Sequence, residues 1–449
     1  MAKWNDKASS LQVCHPDAAG IDIGSDQHWV AVPRGRDEQP VQSFGSFTSD
    51  LQRLADWLEQ CSVRTVAMES TGVYWIPLYE LLEERGFEVL LVNAAHARNV
   101  PGRKSDVLDC QWLQELHTFG LLRASFRPEA RIVELRAYTR HRQTLIEDSA
   151  QQIHRMQKAL DLMNVQIHHV IADLTGKTGM AMVRDIVAGT HDPEKLAKHR
   201  DPRCRASDDV VREALRGHYR TEHLFALHQA LSLYDTYCSH IKACDERIEL
   251  VLRDLAAQFP ETESPPKPRK FRATGNQIAV DVRNPLQRIL GGVDVQAIVG
   301  IGPLTALNLL SETGHDMTRW PTEKHFTSWL NFAPGTRITG GRRISGRRPP
   351  ARSRAGLILR QAASSIGRTP TALGAFYRRI AARRSKSVAI VATARKLACS
   401  YYRLLRYGGA YVERGAEAAE REYHQRRINS LKRQAKSLGF ELAPSQPAA

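Results

Sequence analysis

Four acidic residues in the first quarter of the chain have the types and setting of a divalent-metal site. Asp22 sits in Gly20-Ile-Asp-Ile-Gly24, Glu69 follows Val66-Ala-Met68, and Asp106 and Asp109 stand three apart after Lys104-Ser105. Phosphodiesters are cleaved without an organic cofactor when two metal ions, ~4 Å apart, are held by carboxylates converging from different elements. Magnesium prefers oxygen ligands. The seven cysteines, at 14, 61, 110, 204, 238, 244 and 399, show no paired short spacing of the zinc or redox kind. The expected cofactor is Mg2+, as two ions, with Asp22, Glu69, Asp106 and Asp109 as its ligands. Each acid also has an ordinary reading. Gly-Ile-Asp-Ile-Gly occurs in phosphate-gripping ATPase folds, Glu69 can neighbour a helix start, and Asp106 and Asp109 suit the positive end of a helix.

A second set of chemistry-bearing residues lies far along the chain. Arg337-Ile-Thr-Gly-Gly-Arg-Arg-Ile-Ser-Gly-Arg-Arg348 reads as a loop in which glycines allow close backbone approach and guanidiniums can grip phosphate bidentately. It places two hydroxyls, Thr339 and Ser345, in the strongest positive field of the chain. Either could attack phosphorus if a base or metal accepts its proton, or both could simply hydrogen-bond to the backbone. The chain carries 64 Lys and Arg against 48 Asp and Glu, a formal charge of +16, and residues 333–412 contain no acidic residue. A block of one sign repels itself unless an anion fills its field, so a nucleic-acid backbone is the expected partner. The expected contacts are Arg337, Arg342, Arg343, Arg347, Arg348, Arg352, Arg354, Arg360, Arg378, Arg379, Arg395 and Lys396. Such contacts set affinity and position more than target sequence.

The elements that position these groups follow from hydrophobic period. Residues 19–32 read as strand, turn and strand, 51–60 as an amphipathic helix, 63–68 as a strand, 75–84 as a helix and 88–92 as a strand. Strands alternating with short helices predict an α/β layer with a partly parallel sheet. Asp22 and Glu69 then lie at strand level, and Asp106 and Asp109 share a helix face. Residues 128–164 and 222–259 are long helical patterns, expected to pair antiparallel, with shorter helices between them. Residues 261–270 are polar and proline-rich, as in a linker. Gly300-Ile-Gly-Pro303 predicts a glycine turn opening a helix, and 326–334 a packed helix before the basic loop. Helices are expected at 355–365, 372–384, 388–406 and 417–438.

With 449 residues, two or three domains are expected. No 18-residue apolar run free of charge appears, which argues against a membrane span. An odd cysteine count in a large chain without a signal peptide points to a reducing compartment.

Taken together, Asp22, Glu69, Asp106 and Asp109 with Gly102-Arg-Lys-Ser-Asp-Val-Leu-Asp-Cys-Gln-Trp-Leu113 resemble the signature of the DEDD transposases of bacterial insertion sequences. Gly300-Ile-Gly-Pro-Leu-Thr-Ala306, Trp329-Leu-Asn-Phe-Ala-Pro334, Arg337-Ile-Thr-Gly-Gly-Arg342 and Ala389-Ile-Val-Ala-Thr-Ala-Arg-Lys-Leu397 resemble the C-terminal domain of the same family. The resemblance covers roughly residues 18 to 410. It implies an α/β fold class: an RNase H-like, RuvC-like N-terminal domain, a long coiled-coil-like helical insertion and a mainly α-helical basic C-terminal domain. The implied organisation is a DEDD catalytic domain at 15–125, a helical assembly region at 126–260, a linker at 261–284, a C-terminal transposase domain at 285–410 and a helical and disordered tail at 411–449.

The function so implied is excision and insertion of a mobile element, with metal binding by the DEDD carboxylates and covalent joining of DNA to a C-terminal serine. Some members use a structured guide RNA to bridge donor and target DNA, and subunits assemble as homodimers or homotetramers. The implied location is the bacterial cytoplasm, associated with the nucleoid. The chain departs from the pattern at one point. The family serine commonly precedes the glycines of the basic loop, where Thr339 stands here. Because the threonine methyl crowds its hydroxyl, Ser345 ranks ahead of Thr339 as nucleophile. The alternatives are a resolvase-like endonuclease that uses water and leaves no protein–DNA adduct, and a non-catalytic nucleic-acid scaffold.

Overall fold

The computed structural model describes residues 12–70, 72–93, 106–261, 276–333, 335–346, 353–409 and 416–443. It divides into two compact units, residues 1–127 and 128–449.

The first unit is built on β1 (Ala18–Ile23), β2 (Gln27–Ala31), β3 (Val41–Gly45), α1 (Thr48–Gln60), β4 (Thr65–Glu69), α2 (Trp75–Glu84), β5 (Glu88–Val92) and α3 (Asp106–Thr118). The sheet runs β3-β2-β1-β4-β5. Its first three strands pair antiparallel, while β1, β4 and β5 run parallel. The two-residue alternation of a strand sends Ile21 and Ile23 to one face, where they pack with Leu54 and Leu58 of α1 and Leu78 and Leu82 of α2. Gly20 and Asp22 face the other way, toward α3. This strand order, with helices on both faces, is the RNase H-like fold that the family resemblance implies. Strand β3 was not foreseen. It is an edge strand whose residues are only half buried or exposed, so its sequence carries little alternation.

The second unit opens with α4 (Ala130–Leu162), followed by the short helices α5 (Ile167–Val170), α6 (Lys177–Val187), α7 (Pro193–Ala197) and α8 (Asp208–Ala214), and then α9 (Thr221–Ala256). Arg142 of α4 meets Asp245 of α9, while Met156, Ala159 and Leu160 share a core with Leu227, Ala230 and Leu231. Contacts that rise along one helix and fall along the other make the pair antiparallel. The turn at Gly189 and the cap at Asp192, which accepts from the Glu194 N–H, start α7 as their sequence predicts. The proline-rich stretch at 262–275 lies outside the described residues.

Beyond it come α10 (Arg283–Ile289), α11 (Pro303–Thr313), α12 (Glu323–Trp329), β6 (Gly335–Thr339), β7 (Arg342–Gly346), α13 (Arg354–Ile366), α14 (Ala372–Arg383), α15 (Lys386–Tyr407) and α16 (Ala416–Ser437). Gly300, at φ +88°, leads into α11, and an added Cβ there would lie 2.8 Å from Ile366 Cδ1. Arg136 donates to the Ser311 and Glu312 carbonyls, and Arg140 makes a two-pronged bond to the Glu312 carboxylate at 2.8 Å each, so α11 is clamped to α4. Among the described residues no helix is long and apolar enough to cross a membrane.

Candidate active site

Asp22 stands near the end of β1, Glu69 at the last position of β4, and Asp106 and Asp109 in the first turn of α3. Since β1 and β4 are adjacent parallel strands, with Ile21 opposite Met68, the next residues along each are Asp22 and Glu69. Glu69 is buried, and Ser70 beyond it is fixed by its N–H and hydroxyl, both donating to the Val92 carbonyl at 2.9 and 3.1 Å.

Helix α3 reaches this strand end because β1 has no side chain at residue 20. A Cβ there would lie 2.4 Å from the Cys110 carbonyl oxygen and 2.3 Å from the Gln114 nitrogen, so only glycine lets the helix backbone rest on the strand. Gln114 Nε2 adds a bond to the Ala18 carbonyl at 3.3 Å. At the far end of α3, the buried His117 Nε2 lies 2.8 Å from Thr65 Oγ1, and the ring stacks on His15. The single Thr65 hydroxyl proton goes to the Glu88 carbonyl, so Nε2 carries the hydrogen on the histidine. Burial first, and His15 second, lower the His117 pKa to about 4, and the ring is a neutral peg at physiological pH. Gly20, Gln114 and His117 escaped sequence reasoning. The glycine lay in view within Gly-Ile-Asp-Ile-Gly, but its partner 90 residues downstream did not. Gly20→Ala should destabilise the first unit by about 1–3 kcal/mol through overpacking and misplace Asp106 and Asp109. Unchanged melting and cleavage in that variant would disprove this role.

The result is a concentration of like charge. Asp22 is pushed up to about 6, first by burial and then by Glu69, Asp106 and Asp109, against a smaller opposing contribution from the Ile23 N–H. The four predicted carboxylates therefore share one electrostatic neighbourhood. Electrostatic reach is longer than a ligand bond, however. Among the described residues no three His, Cys, Asp or Glu side chains converge closely enough to grip an ion. The donors available suit a hard cation. Cys110, the nearest thiol, is fully buried, donates to the Val107 carbonyl at 3.1 Å and is pushed up to about 12 by burial, with Asp22 and Asp109 adding to the rise. It stays a neutral thiol, which leaves oxygen ligands.

The basic segment expected to be a loop is a hairpin. Gly340 and Gly341, at φ +55° and +73°, form the two-residue turn between β6 and β7. Both residues of such a turn need positive φ, and this pairing of glycines with flanking β-branched residues was the signal that the loop reading overlooked. The register pairs Thr339 with Arg342 beside the turn and Thr336 with Ser345 toward the open end. By strand alternation, positions 339 and 345 belong to opposite faces of the ribbon. Thr339 and Arg342 are exposed, and Ile338 is 75% exposed.

The remaining expected contacts divide into two groups. Arg354 and Arg395 are exposed, as are Arg378 and Lys396, which differ in also being held within the fold. Arg360 lies over the Phe332 ring, Arg378 caps the preceding helix by donating to the Gly367 and Thr369 carbonyls, and Lys396 lies over Phe376 at 4.1 Å. Arg379 stacks on Tyr423 at 4.1 Å and pairs with Glu420 of α16. These four have partners within the fold. Arg347, Arg348 and Arg352 lie outside the described residues, as do the side chains of Arg337, Arg343 and Ser345.

An RNase H-like sheet with acids pooled at its strand ends, in a chain with a separate basic unit, suits a protein that acts on nucleic acid. Residues 19–165 match the DEDD transposase family of IS110 type, described as a transposase, and residues 294–378 match the family described as Transposase IS116/IS110/IS902. The two matches span just over half of the chain, in the order the motifs predicted. The chain belongs to this family and is a DEDD-type transposase. Membership brings DNA as partner and magnesium as the family's usual cofactor, and sets aside the non-catalytic scaffold. No curated protein matches the chain.

Proposed function

We propose that this transposase excises and inserts a mobile element by cutting and rejoining DNA strands through a transient covalent bond between DNA and a hydroxyl of the β6–β7 hairpin. The observation that carries the reading is the pooled negative charge around Asp22, whose raised pKa marks a site that favours added positive charge. Asp22, Glu69, Asp106 and Asp109 are the ligands, and two magnesium ions bound there supply charge neutralisation at the scissile phosphate. The hydroxyl oxygen attacks phosphorus, a DNA oxygen leaves with the bonding electrons, and the hydroxyl proton passes to a carboxylate or to water. Rejoining reverses the exchange on a second strand.

The hairpin register supports Thr339 as the nucleophile, with Ser345 as the alternative. Thr339 is exposed, flanks the flexible glycines and pairs with Arg342, a guanidinium able to hold the phosphate it attacks. Ser345 lies three register steps from the turn. Thr339→Ala should therefore abolish the DNA adduct trapped on denaturing gels, while Ser345→Ala retains it. The reverse result returns the role to Ser345. An adduct-free cleavage product from the double variant would support the water-using endonuclease instead.

The other parts of the reading are a structured RNA bridging donor and target, and assembly as a dimer or tetramer through residues 126–260. The exposed Phe225, Leu233 and Leu250 of the long α9 support a helical partner. The roles of the domains at 15–125 and 285–410, acidic and basic, belong to the same proposal.

A further inference from the structure

A cleft of about 410 Å³ opens between α4, α11 and α13 of the second unit. Its floor is buried and already satisfied: Thr139 donates to Ser311, and the Glu312 carboxylate is held by Arg140. Its walls are different. Asn308 and Gln361 line it with side-chain amides that have no hydrogen-bond partner among the described residues, and Leu357, 45% exposed, offers an aliphatic face beside them. Arg354 stands at its rim, on the first residue of the helix that follows the hairpin.

We propose that this cleft receives one unpaired nucleobase of the bound nucleic acid. This inference rests on the chain's action on DNA, and goes beyond it by naming a site and what enters it. Charge excludes the backbone as occupant. The lining carries Arg140 and Arg354 against Glu147 and Glu312, so it has no net positive field, and a phosphate at its floor would meet the Glu312 carboxylate. A base has the opposite requirements: a flat apolar face and an edge of neutral donors and acceptors. Leu357 suits the face. Asn308 and Gln361 suit the edge, since an amide offers a donor and an acceptor side by side and matches adenine best. A base inside a duplex cannot reach a cleft bounded by three helices, so the occupant is one that is bulged, looped or extruded. Arg354 at the rim is placed to hold the phosphate of that same nucleotide.

The test uses the full-length protein and short hairpins carrying one bulged 2-aminopurine, an adenine analogue whose fluorescence reports its surroundings, in a DNA series and an RNA series. Each is compared with the same hairpin fully paired. The bulged hairpin should bind about tenfold more tightly than the paired one, and the Asn308→Ala/Gln361→Ala double variant should lose that preference while paired-duplex binding stays unchanged. Both amides are on the cleft wall rather than in the core, and thermal melting of the variant checks its fold. Preference in the DNA arm identifies a DNA base as occupant; preference in the RNA arm identifies an RNA base. Equal binding of bulged and paired hairpins by the wild type, or an undiminished preference in the double variant, overturns the proposal. Magnesium-dependent cleavage measured on the same preparations separates the two failures. Intact cleavage without bulge preference removes the cleft alone, whereas absent cleavage and absent duplex binding remove the DNA reading beneath it.

Discussion

Asp22→Asn should abolish magnesium-dependent strand cleavage, by about 10²–10³-fold or more, and at the same time make the protein more stable to heat in the absence of magnesium. The two effects share one cause. In the folded protein Asp22 is pushed up to about 6 by burial and by Glu69, Asp106 and Asp109. A carboxyl whose folded pKa is raised contributes stability below its unfolded value, near 4, and that contribution is lost as pH rises through about 6. At pH 8 the wild type therefore bears the cost of an ionised Asp22 that the asparagine avoids. After allowance for solvent screening of a partly exposed group, the difference is on the order of 1 kcal/mol. It should shrink as pH falls through about 6 and disappear only below the unfolded value near 4, where Asp22 is neutral in the folded and unfolded chain alike.

Magnesium should stabilise the wild type at pH 8 and leave the variant largely unaffected, because an ion that binds only the native carboxylate site adds to folding free energy by mass action. Melting curves at pH 5 and pH 8, with and without magnesium, check each part. A variant less stable than the wild type at pH 8, or magnesium stabilisation of both to the same degree, would remove Asp22 from the ion site.

The largest effect on stability is expected within the second unit. Arg142 and Asp245 are both about 2% exposed and meet in the middle of the α4–α9 pair. Their remaining bonding capacity is used as well: Arg142 donates to the Asn276 and Gln277 carbonyls, and Asp245 accepts the Ala279 N–H at 3.0 Å. Asp245→Ala leaves a buried guanidinium uncompensated and should destabilise the second unit by about 3–5 kcal/mol, read as a fall in its urea midpoint at unchanged slope. Replacing both partners by leucine should recover only part of this. The backbone groups at 276, 277 and 279 would still lose their partners, at about 1–3 kcal/mol for each one left buried and unsatisfied. Full recovery in the double variant would mean that the network sets helix register alone and does not hold residues 276–279 against the pair.

The strands carrying Asp22 and Glu69 were legible because a buried strand in a layered sheet needs a continuous apolar run, and each run carries, at its end or one residue before it, an acid that packing does not require. The long helices were legible for a similar reason. Residues 130–162 and 221–256 hold a helical period with few breakers, and the observed ends fall within a few residues of the expected ones. The edge strand at 41–45 was not, since a half-covered strand has no strong pattern to read. The hairpin was missed because arginine and glycine content was weighed as composition, while the information lay in the order: two glycines flanked by strand-forming residues.

Residue types and spacing by themselves determined the α/β class, the four acids as a set and the basic character of the C-terminal part, all properties that reside in short stretches of chain. Tertiary structure alone decided that Gly20 seats α3, that His117 is a neutral peg, and that Arg360, Arg378, Arg379 and Lys396 have intramolecular partners, Arg378 and Lys396 remaining exposed as Arg342, Arg354 and Arg395 are. It also decided that Thr339 and Ser345 occupy opposite faces of one ribbon. Each of these depends on which residues meet across pairings, turns and packed helices, and on how burial then changes the cost of charge. Neither quantity is a property of a residue type.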